Sequence, residues 1–175
     1  MLKNDYYTIP IDKNIFLKIV EIIGVEKFSV KLYTTMFYDK ENLEFSSVDF
    51  QYQYLSLKEI KDANESNKYI CYTHYYPENE MFSNIEKTYQ VKIDNLQDMK
   101  NILQNIGFKL INTDTTKEMT VQVLEKYYMN LKVTNEVMYC IEFNTIDNHY
   151  ITKEDYEEIN EYIKKYGINH VENVF

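Results

Sequence analysis

The chain has 175 residues, with 28 acidic and 19 basic side chains and a net charge of −9, and every basic residue is a lysine. Roughly ten arginines are expected in a chain of this length, and there are none. The acidic balance argues against a duplex-DNA binder, whose counterion-release term needs a basic footprint, and the missing arginine removes the bidentate forks that grip phosphate.

Residues 4–11 predict a first strand. Asp12 then caps an amphipathic helix that runs to Ile23 and closes at Gly24. Phe28 to Thr35 alternates with period two. Val48 to Leu55 alternates strictly, with Asp49, Gln51 and Gln53 on one face and Phe50, Tyr52 and Tyr54 on the other. Leu57 to Lys68 is polar and reads as a long hairpin loop with at most a helical turn. Residues 69–76 form a strand rich in aromatics, and Pro77 to Ser83 a further loop. Glu86 to Ile93 alternates again. Asp94, with Gln97 three residues on as in a capping box, begins a second helix with Leu96, Met99, Leu103 and Ile106 on one stripe and Gly107 at its end. Strands at 119–127, 128–134 and 138–145 follow. Thr152 and Asp155 open a third helix, striped by Tyr156, Ile159, Tyr162, Ile163 and Tyr166 and closed by Gly167.

Long alternating strands therefore dominate, and the class is α+β with a mostly antiparallel sheet of about eight strands and about three flanking helices. Ile9-Pro-Ile-Asp12 with its helix parallels Val91-Lys-Ile-Asp94 with its own. That repeat predicts one domain over 1–175 with pseudo-symmetric halves, about 1–84 and 85–175, whose strands curl into one barrel-like tunnel.

No apolar run reaches the roughly 20 residues of a membrane span, and the start of the chain lacks a signal-peptide core, so the expected location is cytoplasmic. Cys71 and Cys140 fit reduced thiols rather than a disulfide framework. The histidines at 74, 149 and 170 fall at no metal-ligand spacing, which argues against zinc.

The order of elements resembles the CYTH domain, or triphosphate tunnel fold, of class IV adenylyl cyclases, thiamine triphosphatases and inorganic triphosphatases. The residues that carry the resemblance are Glu86 to Lys109, similar to the family's central strand and the helix that ends in Leu-Gly-Phe. Met36-Phe-Tyr-Asp39 resembles the Tyr-Phe-Asp after the first helix, and Tyr139-Cys-Ile-Glu-Phe143 the closing strand. The match covers about residues 4–167. It implies a tunnel in which paired carboxylates hold a divalent metal and lysines and arginines hold the triphosphate.

The departures from that pattern are directional. The first strand's Glu-x-Glu-x-Lys corresponds to Asn4, Tyr6 and Thr8, and the two alternating arginines to Gln51 and Gln53. The central Glu-x-Glu corresponds to Thr88 and Gln90. The closing one keeps only Glu142, with Cys140 at the other position, and the later basic pair corresponds to Lys117 and Met119. Lys31, Lys92 and Lys132 are the cations left on predicted polar faces, opposed by Asp49, Glu86 and Glu142. A triphosphate carries up to about four negative charges, and desolvating it requires cations to offset the cost.

The resemblance and its departures together imply a catalytically degenerate relative: a non-hydrolytic module for a small molecule or a protein. Its ligand-binding candidates are Lys31, Gln51, Gln53, Gln90, Lys92 and Lys132. Glu142 is the one candidate for a catalytic or metal-binding role, set against an ion pair with Lys31, Lys92 or Lys132. Gln51 and Gln53 either line the tunnel or form a plain solvent face. His74 has no evident nucleophile or orienting carboxylate, and the aromatic run around it suits cross-strand packing better than base stacking. Two alternatives stay open. One is a divergent metal-dependent triphosphate hydrolase or cyclase, which alone would call for Mg or Mn. The other is an acidic inhibitor or immunity-type protein that meets a basic partner.

Overall fold

The computed structural model describes residues 6–40, 53–78, 83–147 and 149–169. Along the chain run β1 (Tyr7–Ile11), α1 (Lys13–Ile23), β2 (Ser29–Lys40), β3 (Gln53–Lys61), β4 (Ser66–Glu78), β5 (Ser83–Ile93), α2 (Leu96–Asn105), β6 (Phe108–Val123), β7 (Tyr127–Thr134), β8 (Met138–Thr145) and α3 (Lys153–Ile163). The strands form one sheet in the order β1-β8-β7-β6-β2-β3-β4-β5, and its described registers are antiparallel. The α+β class, the eight strands and the three helices are those the sequence predicts. The expected pairing of a strand with a following helix occurs twice, as β1–α1 and β5–α2.

Helix ends follow their capping chemistry. Asp12 accepts from the Ile15 N–H at 2.9 Å and starts α1. Gly24, at φ 93 and ψ 126, ends it in a conformation that side chains disfavour. Thr152 and Asp155 form the expected capping box of α3. The second helix differs from expectation by one residue. Its N-cap is Asn95, whose side chain takes the N–H groups of both Gln97 and Asp98, and Asp94 lies outside. The predicted loop over 57–68 is also mostly strand. β3 and β4 run to Lys61 and from Ser66, and Asp62 closes the short turn by accepting from the N–H groups of Asn64 and Glu65.

The chain divides into two compact units, Met1–Lys31 with Thr116–Phe175, and Leu32–Thr115. The first packs Phe16 and Ile19 of α1 and Tyr156, Ile159 and Ile163 of α3 on one face of its strands, against Ile9, Met119, Met129, Leu131, Ile141 and Phe143. The second packs Leu103 of α2 with Met36, Tyr38 and Leu57, flanked by Leu55, Ile70 and Ile93. In each unit the strand alternation that feeds this core leaves the intervening positions to form a second, polar face.

No helix among the described residues is long and apolar enough to cross a membrane.

Candidate functional site

The polar face of the first unit is built on the β6–β7–β8 meander. Asn135 and Glu136, at φ 52 and 61, make the tight turn between β7 and β8, with Val137 N–H bonded to the Thr134 carbonyl at 3.1 Å. Two successive positive φ values match the strands' right-handed twist and so fix the register. Lys132 then stands opposite Glu118 on one side and Cys140 on the other, and Asn130 opposite Thr120 and Glu142. Thr8 of β1 is the next partner of Glu142.

This register brings three charges together. The Lys132 ammonium donates to Glu142 Oε1 at 2.7 Å and lies 3.5 Å from Glu118 Oε2. The lysine side chain is 25% exposed and each carboxylate 16%, so the group is largely withdrawn from water. Burial works to lower the Lys132 pKa, but the bond to Glu142 and the two carboxylate charges outweigh it and the pKa is raised. Beside the charges runs an amide chain. Thr120 Oγ1 donates to Asn130 Oδ1 at 2.7 Å, and Asn130 Nδ2 donates to Asn144 Oδ1 at 2.7 Å. Asn130 is only 8% exposed, and among the described residues no buried side-chain polar atom lacks a partner.

The second unit has its own polar face. Ser56, Cys71 and Gln90 form one cross-strand row and Lys58, Tyr69 and Lys92 the next. Cys71 Sγ approaches Gln90 Oε1 at 3.9 Å, and Thr73 and Thr88 share a hydroxyl bond at 3.0 Å. The Lys58 ammonium sits 5.3 Å from the Tyr33 ring centroid, a cation–π distance.

Set against the sequence, the structure joins Glu142 to Lys132, the ion-pair alternative. Lys31 and Lys92 are exposed strand residues, the latter opposite Tyr69. Gln90 lies on the polar face beside Cys71. Gln53 opens β3 opposite His74. Gln51, Asp49 and Asn4 lie outside the described residues. Lys117 and Met119 are the positions matched to the family's later basic pair. Met119 is 2% exposed inside the first core, and Lys117 shares its strand parity. The strand alternation puts Glu118 on the polar face instead. Sequence reasoning missed Glu118 because it lies just before the predicted strand 119–127, whereas β6 runs from Phe108 to Val123, and Lys58 because its segment reads as loop. The Glu118-x-Thr120-x-Gln122 alternation against Met119, Val121 and Val123 was the available signal.

No protein-family model and no curated protein sequence matches the chain. Solved structures do. A putative adenylyl cyclase from Hippeastrum, described as having a dominant triphosphatase activity, is 15% identical with a TM-score of 0.60, over 93% of this chain and 87% of its own. A putative adenylate cyclase from Bacillus halodurans is 12% identical with a TM-score of 0.55, over 99% and 94%. The protein PH1819 from Pyrococcus horikoshii is 17% identical with a TM-score of 0.59, over 96% and 90%. The chain has a CYTH-like fold. At these identities the likeness establishes the fold and leaves the chemistry to the residues.

A CYTH-like fold implies a divalent ion held by acidic side chains. Here the donor set fits one poorly. Among the described residues no group of three His, Cys, Asp or Glu side chains is placed to hold a metal. The two carboxylates that do converge, Glu118 and Glu142, already share an ammonium. A divalent ion would have to displace a partly buried, charge-paired lysine to reach them. The residues as they stand do not fit it.

Proposed function

We propose that this CYTH-like chain is a non-hydrolytic binding module that takes a small, hydrogen-bonding molecule of little net charge. The observation that carries the reading is the Glu118–Lys132–Glu142 group. Its formal charge is −1, so an incoming triphosphate with about four negative charges meets net repulsion where a phosphohydrolase needs cations. The neighbouring groups, Thr120, Asn130 and Asn144, are neutral donors and acceptors. They suit hydroxyls, amides or a single weak charge.

The test is turnover. Purified protein is assayed with ATP, tripolyphosphate and thiamine triphosphate in the presence of Mg or Mn, beside a Glu142→Ala variant. Wild type is expected to match the variant at background. Metal-dependent turnover that Glu142→Ala abolishes would overturn the reading and support a divergent phosphohydrolase. That second reading draws on the fold likeness and on the two lysines, Lys58 and Lys92, on the polar face of the second unit.

A further inference from the structure

We propose that Lys132 is the resident cation of its sheet face, its ammonium standing between Glu118 and Glu142 in place of a divalent ion, so that removing the lysine turns this face into a divalent-cation site. The inference deepens the reading above at the same three residues and rests on it.

The argument begins with register. Lys132 occupies the central strand of three, with Glu118 directly across on β6 and Glu142 diagonal to it on β8. A diagonal neighbour is within reach of a long side chain, and the lysine uses that reach to bring its ammonium 2.7 Å from one carboxylate and 3.5 Å from the other. Their bonded oxygens are therefore no more than about 6 Å apart, close enough for modest rotamer changes to bring both onto one ion. Each carboxylate is 16% exposed, so neither gains much from water. Two such anions side by side need a cation, and the one supplied here is covalently attached.

Lysine suits the task for the reason that arginine would not. Its ammonium is a compact point charge with three donors, close in role to a small hard ion, whereas a guanidinium is a planar fork. The atoms it is bonded or ion-paired to are oxygens, from the Glu118 and Glu142 carboxylates, with Cys140 the residue directly across on β8 and Asn130 in the adjoining row. Hard oxygen donors are the ligand set of Mg, Mn and Ca. Once the ammonium is gone, the same carboxylates hold an uncompensated charge of −2, and a divalent ion is the species that cancels it.

The experiment is a titration of the full chain with Mn2+, followed by the electron paramagnetic resonance signal of the free ion. It compares wild type, Lys132→Gln and the double variant Lys132→Gln/Glu142→Gln. Wild type is expected to leave the ion free. Lys132→Gln is expected to bind a single ion about tenfold more tightly or better, with Mg2+ competing, and the double variant to lose that binding. Saturable binding by wild type that Glu142→Gln removes would overturn the proposal. So would a folded Lys132→Gln, judged by circular dichroism, that binds no better than wild type. Should Lys132→Gln fail to fold, Lys132→Met keeps the length without the charge and is read in the same titration, while the wild-type arm decides on its own. Triphosphate turnover by wild type with no Mn2+ bound at Glu142 would sink the proposed function and leave this inference standing. Failure of the lysine variants to gain the ion would do the reverse.

Discussion

Lys132 and Glu142 form a diagonal cross-strand ion pair at 2.7 Å, although the residue directly opposite Lys132 on β8 is Cys140 and the one opposite Glu142 on β7 is Asn130. Each partner leans along its strand to reach the other, so the bond depends on the register of the hairpin as well as on charge. Glu142→Gln leaves the lysine with Glu118 alone in a setting only a quarter exposed. Loss of one member of such a pair is expected to cost about 1–3 kcal/mol, less than for a fully buried pair because some water reaches the ammonium. Urea unfolding of Glu142→Gln, Lys132→Gln and the double variant measures it. The double variant should be more stable than the sum of the single losses implies, and strict additivity would mean that the two side chains do not interact.

A second contact ties α3 to the sheet. Tyr127 is fully buried, and its hydroxyl proton is shared between Asp155 Oδ1 at 2.7 Å and Glu158 Oε2 at 3.1 Å. Burial and these two acceptors both push the phenol's pKa up, so it stays a donor throughout the ordinary pH range. Tyr127→Phe keeps the ring in the core and removes only this donor. The expected loss is about 1.5–3 kcal/mol, the scale of a hydrogen bond to a charged group. Amide exchange in 153–163 should quicken along with the fall in urea midpoint. An unchanged midpoint would show that Lys126, bonded to Glu158 at 2.9 Å, suffices to hold the helix.

The helices were legible in the sequence because their signals are local. Asp12, Gly24 and Thr152 each act on backbone groups within four residues, and the structure uses all three as the sequence suggests. The slip at α2 has a local cause too, since Asp94 and Asn95 are adjacent and both favoured at an N-cap. Strand ends were harder. Lys58, Glu59 and Lys61 gave 57–68 the polarity of a loop, yet on β3 Glu59 pairs with Lys61 at 3.0 Å and Leu57 is fully buried. The Glu118–Lys132–Glu142 group was only part visible. Which acid meets which lysine depends on how three strands align, and sequence alternation fixes the face of a residue without fixing its partner across the ladder.

The pH dependence of stability should be set from both sides by one cluster at the start of α3. Partial burial works to raise the Asp155 carboxyl, but the Thr152 backbone N–H, the hydroxyls of Tyr127 and Thr152, and His149 outweigh it and hold the group at about 2, against an ordinary 3.8. A carboxyl lowered by folding stabilises the native state above its unfolded pKa. That contribution, on the order of 2 kcal/mol, is complete above pH 3.8 and is lost as pH falls towards 2. His149 runs the other way. Its bonds to Asp147 and to Asp155, the latter at 3.3 Å, raise its pKa above 6.5. Its contribution is therefore full below pH 6.5 and disappears as pH climbs through the folded value. Melting temperatures of wild type, Asp155→Asn and His149→Gln across the acid and neutral range separate the two. The gap between wild type and His149→Gln should close with rising pH, and a gap that widens would contradict the assignment.

Thiol reactivity offers a check on the two polar faces separately. Burial raises the pKa of Cys71, with the Lys58 charge a smaller opposing influence. Burial likewise raises that of Cys140, where Lys132 pulls down and Glu142 pushes up. The nucleophile is the thiolate, so both groups should label slowly with an aromatic disulfide reagent at neutral pH, at least about tenfold below the rate of the unfolded chain. Cys140 is half-buried and Cys71 is 4% exposed, so Cys140 should react first. Both rates should rise with pH beyond the ordinary thiol value. Labelling of Cys71 as fast as a free thiol would mean that the Ser56–Cys71–Gln90 row opens to solvent far more readily than its burial implies, and that β3 to β5 contribute little to a preformed site.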